Sequence, residues 1–513
     1  MRANSSPRRR WKILAVGGMA LAAGGLLSLP LAAAAAAGTL PGRPNIVLIL
    51  ADDLGYGDTG CYGAKKVATP HIDSLARRGM RFTDAYAASP VCCPSRYGLM
   101  TGTFPWRAPR MDAASLWATH ESACLLDPGQ ATLASVVQQC GYHTGAIGKW
   151  HLGLMNPAKD WNQPLASGPL EHGFDYFFGD PSNRFLFYVE NHRVAGLKGT
   201  ERIDGQGREL KIPPSVQRID RVENARVLNR KACEFIRGRN GERPFFLYYA
   251  PNNVHTPLTP GPAFKGKSGA GVYGDFVEEL DWSVGEILQA LRETGQLERT
   301  LLLFSSDNGG RLDLSALNQG HRANGILLGQ KTDVWEGGVH IPLIAQWPGI
   351  IAGDSVCRTP VMLTDLLATF MELVGPTLPD GCYRDGYSLL PIWRGQAPSP
   401  QIIQRPLIFN WGNRSLTFAL RQGDWVYIDR PGSGGVGAGE ENRNQVSMYL
   451  TYAQARYENS DILPDGTIKA DAPREQLYNL GKDPTQKENV IRQYPAQAQE
   501  MKKLLRRFVP PTP

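Results

Sequence analysis

Short apolar runs recur along the chain, each ending in a polar cluster and each separated from the next by a helix-like segment. The first, Asn45-Ile46-Val47-Leu48-Ile49-Leu50, is too continuous for a strand with one wet face and predicts a central strand buried on both. It runs into Asp52-Asp53. Residues 69–78 predict a helix: Thr69 stands at the N-cap, Pro70 at the first helical position, Ile72, Leu75 and Ala76 fall on one face, and Gly79 ends it. Residues 144–147, 244–250 and 300–304 predict further strands, which lead into Gly148-Lys149-Trp150-His151, Asn253-Val254-His255 and Ser306-Asp307-Asn308-Gly309. Strands alternating with helices are the pattern of an α/β fold. In an open parallel sheet the loops beyond the strands' carboxyl ends form the ligand crevice, so all four clusters are expected at one site.

The texture changes near Arg394-Gly395-Gln396-Ala397-Pro398-Ser399-Pro400. Residues 38–395 therefore form a larger expected unit, and residues 396–513 a smaller one. In the latter, 406–410, 416–421 and 425–429 predict short antiparallel strands, 496–508 an amphipathic terminal helix, and 431–439 a glycine-rich loop.

Composition narrows the class. At 513 residues, with 42% hydrophobic and 20% charged residues and 56 Gly, 38 Pro and 8 Cys, the chain is neither disordered nor collagenous nor a small disulfide scaffold. The formal charge of +7 includes Arg2, Arg8, Arg9, Arg10 and Lys12; removing these five leaves +2. No basic stripe with interleaved aromatics remains, so no nucleic-acid partner is expected. Residues 1–37 combine that basic start with an Ala/Leu/Gly-rich apolar stretch and small residues near Ala35 to Gly38, the pattern of a cleaved export signal, with a retained signal anchor as the alternative. A periplasmic or secreted location is the expectation. No segment after Leu40 is long and apolar enough for the mature body to insert in a membrane.

Asp52-Asp53 and Asp307-Asn308 offer three carboxylates and an amide oxygen at two strand ends, a set suited to one hard divalent cation such as Ca²⁺ or Mg²⁺. Either pair alone would read as turn or cap residues. No His/Cys spacing argues for zinc. In Cys92-Cys93-Pro94-Ser95-Arg96, Pro94 can open a helix whose positive end would acidify the Cys92 thiol; the alternative is a structural cysteine.

The segment Cys92-Cys93-Pro94-Ser95-Arg96-Tyr97-Gly98-Leu99-Met100-Thr101-Gly102 resembles the signature of the type I sulfatases. The resemblance extends from Pro44-Asn45-Ile46-Val47 and Thr69-Pro70-His71-Ile72-Asp73 through Gly141-Tyr142-His143-Thr144 and Gly148-Lys149-Trp150-His151-Leu152-Gly153. It continues in Lys331, Trp335-Glu336-Gly337-Gly338 and Asp385-Gly386-Tyr387-Ser388-Leu389, and ends at Glu475-Gln476-Leu477-Tyr478-Asn479-Leu480. It implies the alkaline-phosphatase superfamily fold: a large, mixed, mostly parallel sheet between helices, followed by a smaller C-terminal antiparallel sheet with one helix.

The resemblance also implies a chemistry, that of a sulfuric ester hydrolase. Cys92 would be oxidised by a formylglycine-generating enzyme, and Asp52, Asp53, Asp307, Asn308 and an oxygen of modified Cys92 would hold Ca²⁺. One hydroxyl of the hydrated aldehyde attacks sulfur, and proton loss from the other later expels sulfate. Asp307 would be the base toward the attacking hydroxyl and His151 the group that drives elimination. Arg96 and Lys149 would hold the modified residue, while His255 and Lys331 grip the sulfate and assist the leaving oxygen. The substrate would be an aryl sulfate or a sulfated carbohydrate, with pocket walls at 180–194, 318–328 and 411–415.

His71, His143 and His340 read as structural, whereas His192 and His321 lie in segments able to reach a substrate. Thr103 and His340 stand where the family commonly carries basic residues. If Cys92 becomes an aldehyde, seven thiols remain and at least one has no intramolecular partner. Two other functions fit the same residues: phosphate or phosphonate ester hydrolysis within the superfamily, and carbohydrate binding without turnover.

Overall fold

The computed structural model describes residues 42–110, 124–154, 160–165, 167–182, 186–205, 210–239, 241–375, 385–410, 417–434 and 450–509. The export segment, Cys382, the 411–415 wall and part of the 431–439 loop lie outside these residues.

Among them is a mixed sheet of eleven strands. Its centre is β1 (Asn45–Ala51), with parallel neighbours β7 (Phe245–Ala250) on one side and β8 (Thr300–Ser306) on the other. β3 (His143–Gly148) and β4 (Tyr176–Gly179) continue in parallel beyond β7, and the short β5 (Val189–Glu190) and β6 (Arg193–Val194) close that edge antiparallel. On the other side, β9 (His340–Gln346) runs antiparallel to β8 and to β2 (Met80–Tyr86), which carries β10 (Ser355–Cys357) and β11 (Val361–Met362) at its outer edge. The mixed, mostly parallel architecture expected from the resemblance is thus observed.

Every residue of β1 is buried, and the alternation of its side chains divides the core. Ile46, Leu48 and Leu50 join one cluster with Leu133, Val137, Tyr97 and Phe370 from helices on one face. Val47, Ile49 and Ala51 join another with Ile72, Leu75, Leu228 and Leu280 from helices on the opposite face. Each fully buried Leu or Ile contributes about 1.5–3 kcal/mol relative to exposure, so the six-residue run that predicted this strand also anchors both layers.

Helix Pro70–Arg77 forms with Ile72, Leu75 and Ala76 buried, as expected. Its first turn is satisfied differently. Thr69 makes no side-chain cap bond to the helix; instead Asp281, on the long helix Gly271–Glu293, accepts the backbone N–H groups of His71 (3.2 Å) and Ile72 (2.8 Å). Arg78 occupies the C-cap and Gly79 follows directly, where the helix was expected to end. Gly79 is required by space: a Cβ there would lie 2.2 Å from the Ala345 carbonyl oxygen, where β2 pairs with β9.

A second sheet runs β12 (Leu407–Asn410), β13 (Phe418–Gln422), β14 (Trp425–Ile428) and β15 (Gln476–Asn479), antiparallel throughout. Three of these strands and the helix Pro495–Phe508 follow the sequence expectation; β15 was not anticipated. The sheet and helix share one apolar cluster with Tyr86, Val91, Cys92 and Trp335 from the larger part, so the smaller sheet packs against the segment that carries Cys92. Among the described residues no helix is long and apolar enough to cross a membrane.

Candidate active site

Four strand ends deliver the site. Asp52 and Asp53 follow β1, Lys149 and His151 follow β3, His255 follows β7, and Asp307 and Asn308 follow β8. Cys92 and Arg96 lie on the helix Cys92–Thr101, and Lys331 comes from the segment before β9. The local backbone is forced. Gly148 has φ +109°, and a Cβ on it would fall 2.0 Å from the Ala250 carbonyl oxygen, so only glycine lets β3 turn toward the site this close to β7. Asp53 (φ 63°) and His151 (φ 58°) occupy the left-handed region without being glycine, at a cost of roughly 1–3 kcal/mol each, a concentration of strain typical of functional sites.

Three carboxylates interleave with three cations in the buried floor. Lys149 Nζ sits 2.8 and 2.9 Å from the two oxygens of Asp52. Lys331 Nζ lies 2.7 Å from Asp53, and Arg96 meets Asp307 through Nε at 2.9 Å and Nη2 at 2.8 Å. Arg96 also donates through Nη1 to the Lys149 carbonyl (3.1 Å) and to the Tyr248 hydroxyl (3.0 Å). Asp53 further accepts Asn308 Nδ2 at 3.0 Å and has His255 Nε2 at 3.7 Å, while its own backbone N–H donates to Asp307 Oδ1 at 3.1 Å.

Charge states follow from these neighbours. Burial alone would raise Asp52, but the cations beside it, Lys149 foremost, hold its carboxyl well below the usual range. Asp307 goes the other way: burial and the Asp52 carboxylate outweigh Arg96 and lift it to about 6. Burial, then the charges of Lys149 and Arg96, push His151 well below an ordinary histidine. Burial and Lys331 lower His255 to about 4. Both imidazoles are therefore neutral near pH 7. His255 Nδ1 lies 2.6 Å from the Thr256 carbonyl oxygen, which can only accept, so Nδ1 carries the proton. His151 Nδ1 is buried without a hydrogen-bond partner.

The donor set fits a hard divalent ion. Ligand atoms of Asp52, Cys92 and Asp307 all lie within 4.8 Å of one another, as do those of Asp52, Asp53 and His255. Asn308 spends its Nδ2 on Asp53 and the Gly309 carbonyl, which leaves its buried Oδ1 with no partner, the arrangement of an amide oxygen reserved for a cation.

The structure therefore brings together every residue singled out from sequence as catalytic or metal-binding. It corrects several details. The helix begins at Cys92 itself rather than at Pro94, and the Cys92 thiol is not acidified: burial raises its pKa against the pull of Lys149 and Lys331. His321 is buried and bonded to Asp58 at 2.7 Å. His192 pairs with Glu171 at 2.7 Å on an exposed edge. Among the described residues no disulfide joins Cys61, Cys92, Cys93, Cys124, Cys140, Cys233 and Cys357. His340 sits between Glu336 (2.9 Å) and the Thr83 carbonyl (2.7 Å), in keeping with a structural part. A guanidinium does reach this place from the second sheet, where Arg421 contacts Tyr86 and Asp84. Tyr248 was missed; it lies in the apolar run of β7, where nothing in the sequence separates it from core.

Comparison with known proteins agrees with this geometry. Residues 44–376 match the family model described as Sulfatase. An N-acetylgalactosamine-6-O-sulfatase of Bacteroides thetaiotaomicron is 33% identical, over 90% of this chain and 92% of that protein. The steryl-sulfatase of Mus musculus is 34% identical, over 80% of this chain and 73% of its own. A solved structure from Bacteroides thetaiotaomicron, described in connection with the metabolism of multiple glycosaminoglycans, superposes with a TM-score of 0.75 at 32% identity, covering 91% of this chain and 99% of that one. The chain belongs to the sulfatase family and is an enzyme of sulfate ester hydrolysis.

Proposed function

We propose that this protein hydrolyses sulfate monoesters of sugars or aryl alcohols with a nucleophile made from Cys92 and one Ca²⁺ ion. The observation that carries this is the convergence of Asp52, Asp53, Asp307 and the unpartnered Asn308 Oδ1 beside Cys92, with Arg96, Lys149 and Lys331 interleaved. A buried thiol with a raised pKa is a poor nucleophile, which favours a modified Cys92 over a cysteine mechanism.

Asp52, Asp53, Asp307 and Asn308 would hold the ion, together with an oxygen of the modified residue 92. When bound, the ion supplies fixed positive charge that offsets charge building on the attacking and sulfuryl oxygens. The formylglycine, as its hydrate, supplies two hydroxyls on one carbon, one to attack sulfur and one whose deprotonation later releases sulfate. The three carboxylates and three cations sum to zero, so a divalent ion leaves the site at +2, matched to an anionic ester.

The chain's own residues do the rest. Arg96, held through its three guanidinium nitrogens, and Lys149, fixed by Asp52, orient residue 92. Asp307, with its raised pKa, takes the proton of the attacking hydroxyl. His151 is neutral with an open Nδ1 and accepts the proton whose loss releases sulfate. Lys331 anchors a sulfuryl oxygen and stabilises the leaving oxygen, and His255, on the Asp53 side of the cleft, assists that oxygen once its Nε2 is protonated beside the bound anionic ester. Residues 1–37 direct export, which places the enzyme where environmental sulfated glycans are met.

Matched 4-nitrophenyl sulfate and phosphate test this, using protein from a host with a formylglycine-generating enzyme. The expected result is a kcat/KM favouring sulfate. A preference for phosphate overturns the choice in favour of a phosphohydrolase, and saturable binding of a sulfated sugar without turnover supports a binding protein.

A further inference from the structure

Beside His255 lies a cleft lined by Asp180, Asn224, Asn252, Thr256 and, at its exposed rim, Arg221. Within it side chains form one directed hydrogen-bond chain. The Tyr188 hydroxyl donates to Asn224 Oδ1 (2.7 Å), Asn224 Nδ2 donates to Asn252 Oδ1 (2.9 Å), and Asn252 Nδ2 donates to Asp180 Oδ2 (2.9 Å). The chain ends there. Asp180 Oδ1 is buried with no partner, on a residue only 4% exposed.

This chain is tied to the reacting groups. The Asp180 carbonyl accepts the Trp150 N–H (3.1 Å) and the next carbonyl, of Pro181, accepts that of His151 (3.0 Å). The Asn252 carbonyl accepts the His255 N–H (2.8 Å). The backbone that carries Asp180 and Asn252 is therefore tied to the segments that carry His151 and His255, and Asp180 and His255 line the same cleft.

From this geometry we infer that Asp180 is a specificity-determining residue, whose open Oδ1 accepts a hydrogen bond from a hydroxyl of the substrate's sugar ring. The inference rests on the sulfate ester hydrolase function above and narrows its substrate to a hydroxyl-bearing sugar. Buried polar atoms are normally paired, and an unpaired one costs about 1–3 kcal/mol, so an oxygen left open in a cleft is preorganised for a donor from the ligand. The ring of 4-nitrophenyl sulfate offers no hydroxyl donor, whereas a sulfated pyranose carries ring hydroxyls near the ester, such as that on C4 of N-acetylgalactosamine 6-sulfate. A site built around such a bond discriminates strongly against ligands that lack the donor.

The test compares Asp180→Asn and Asp180→Ala with the parent enzyme, all carrying formylglycine, on N-acetylgalactosamine 6-sulfate and on 4-nitrophenyl sulfate. Both variants should lose roughly 10- to 100-fold in kcat/KM on the sugar while keeping the aryl ester within about threefold, which also shows that they fold. Equal losses on both esters would make Asp180 a structural support, and no loss on either would mean that solvent satisfies Oδ1; either result overturns the assignment alone. Failure of the modified parent enzyme to cleave either ester overturns the hydrolase function itself, and the assignment with it.

Discussion

The guanidinium of Arg96 contacts Asp307 through two nitrogens at 2.8 and 2.9 Å, with both side chains fully buried. Arg96 lies four residues after Cys92 on the helix Cys92–Thr101 and Asp307 directly follows β8, so this pair joins the helix that begins at Cys92 to the sheet. Removing one partner of a buried pair typically costs about 3–5 kcal/mol, because the other charge is left uncompensated. Arg96→Ala should therefore lower the melting temperature markedly as well as abolish turnover. Arg96→Lys keeps a charge but not the fork that reaches Asp307, Tyr248 and the Lys149 carbonyl; it should remain folded with kcat/KM reduced about 100-fold or more. Thermal melts beside kinetics on one aryl sulfate check both outcomes.

The open Asn308 oxygen makes a claim about the ion. Chelation with EGTA should inactivate the enzyme and lower its melting temperature, and added Ca²⁺ should restore both; at 100-fold excess over Kd the stabilisation is about 2.7 kcal/mol. Asn308→Asp, which retains an oxygen at that position, should keep a Ca²⁺-dependent melting shift, whereas Asn308→Leu should lose most of it. Equal shifts in both variants would remove Asn308 from the ligand set.

A pH dependence of stability follows from Asp281, which lies away from the reacting groups. Burial lifts its carboxyl to about 7 against the two backbone N–H bonds it accepts. Because the folded pKa lies above the unfolded one, the native state binds the extra proton between about pH 4 and 7. Stability from this group is full below that window and is lost as pH rises through it, by at most about 1.4 kcal/mol per pH unit. Asp281→Asn mimics the protonated side chain and should flatten that part of the profile, as denaturant titrations from pH 4 to 8 will show.

What was legible in the sequence had local causes. The apolar run 45–50 marked the central strand because only burial on both faces suits it, and Asp52, Asp53, Asp307 and Asn308 could be grouped because strand ends converge in such a sheet. β15 escaped because its partner β14 is some fifty residues earlier, and Trp425↔Asn479 pairing leaves no local trace. Gly79 looked like a helix stop, yet the contact that requires it is with Ala345 on β9. The Cys92 thiol was expected to be acidic from the helix end alone; burial, invisible in a motif, reverses the sign. Asp180 carried no motif, and its importance rests on Asn252 and Asn224 from distant parts of the chain.

The most direct test of the central claim is the mass of the peptide containing Cys92, from enzyme made in its native host or in one with a formylglycine-generating enzyme. The expected peptide has the CH₂–SH group of residue 92 replaced by an aldehyde and Cys93 unchanged, and it reacts with hydrazide reagents. An unmodified thiol at residue 92 in protein that still cleaves sulfate esters would contradict the account.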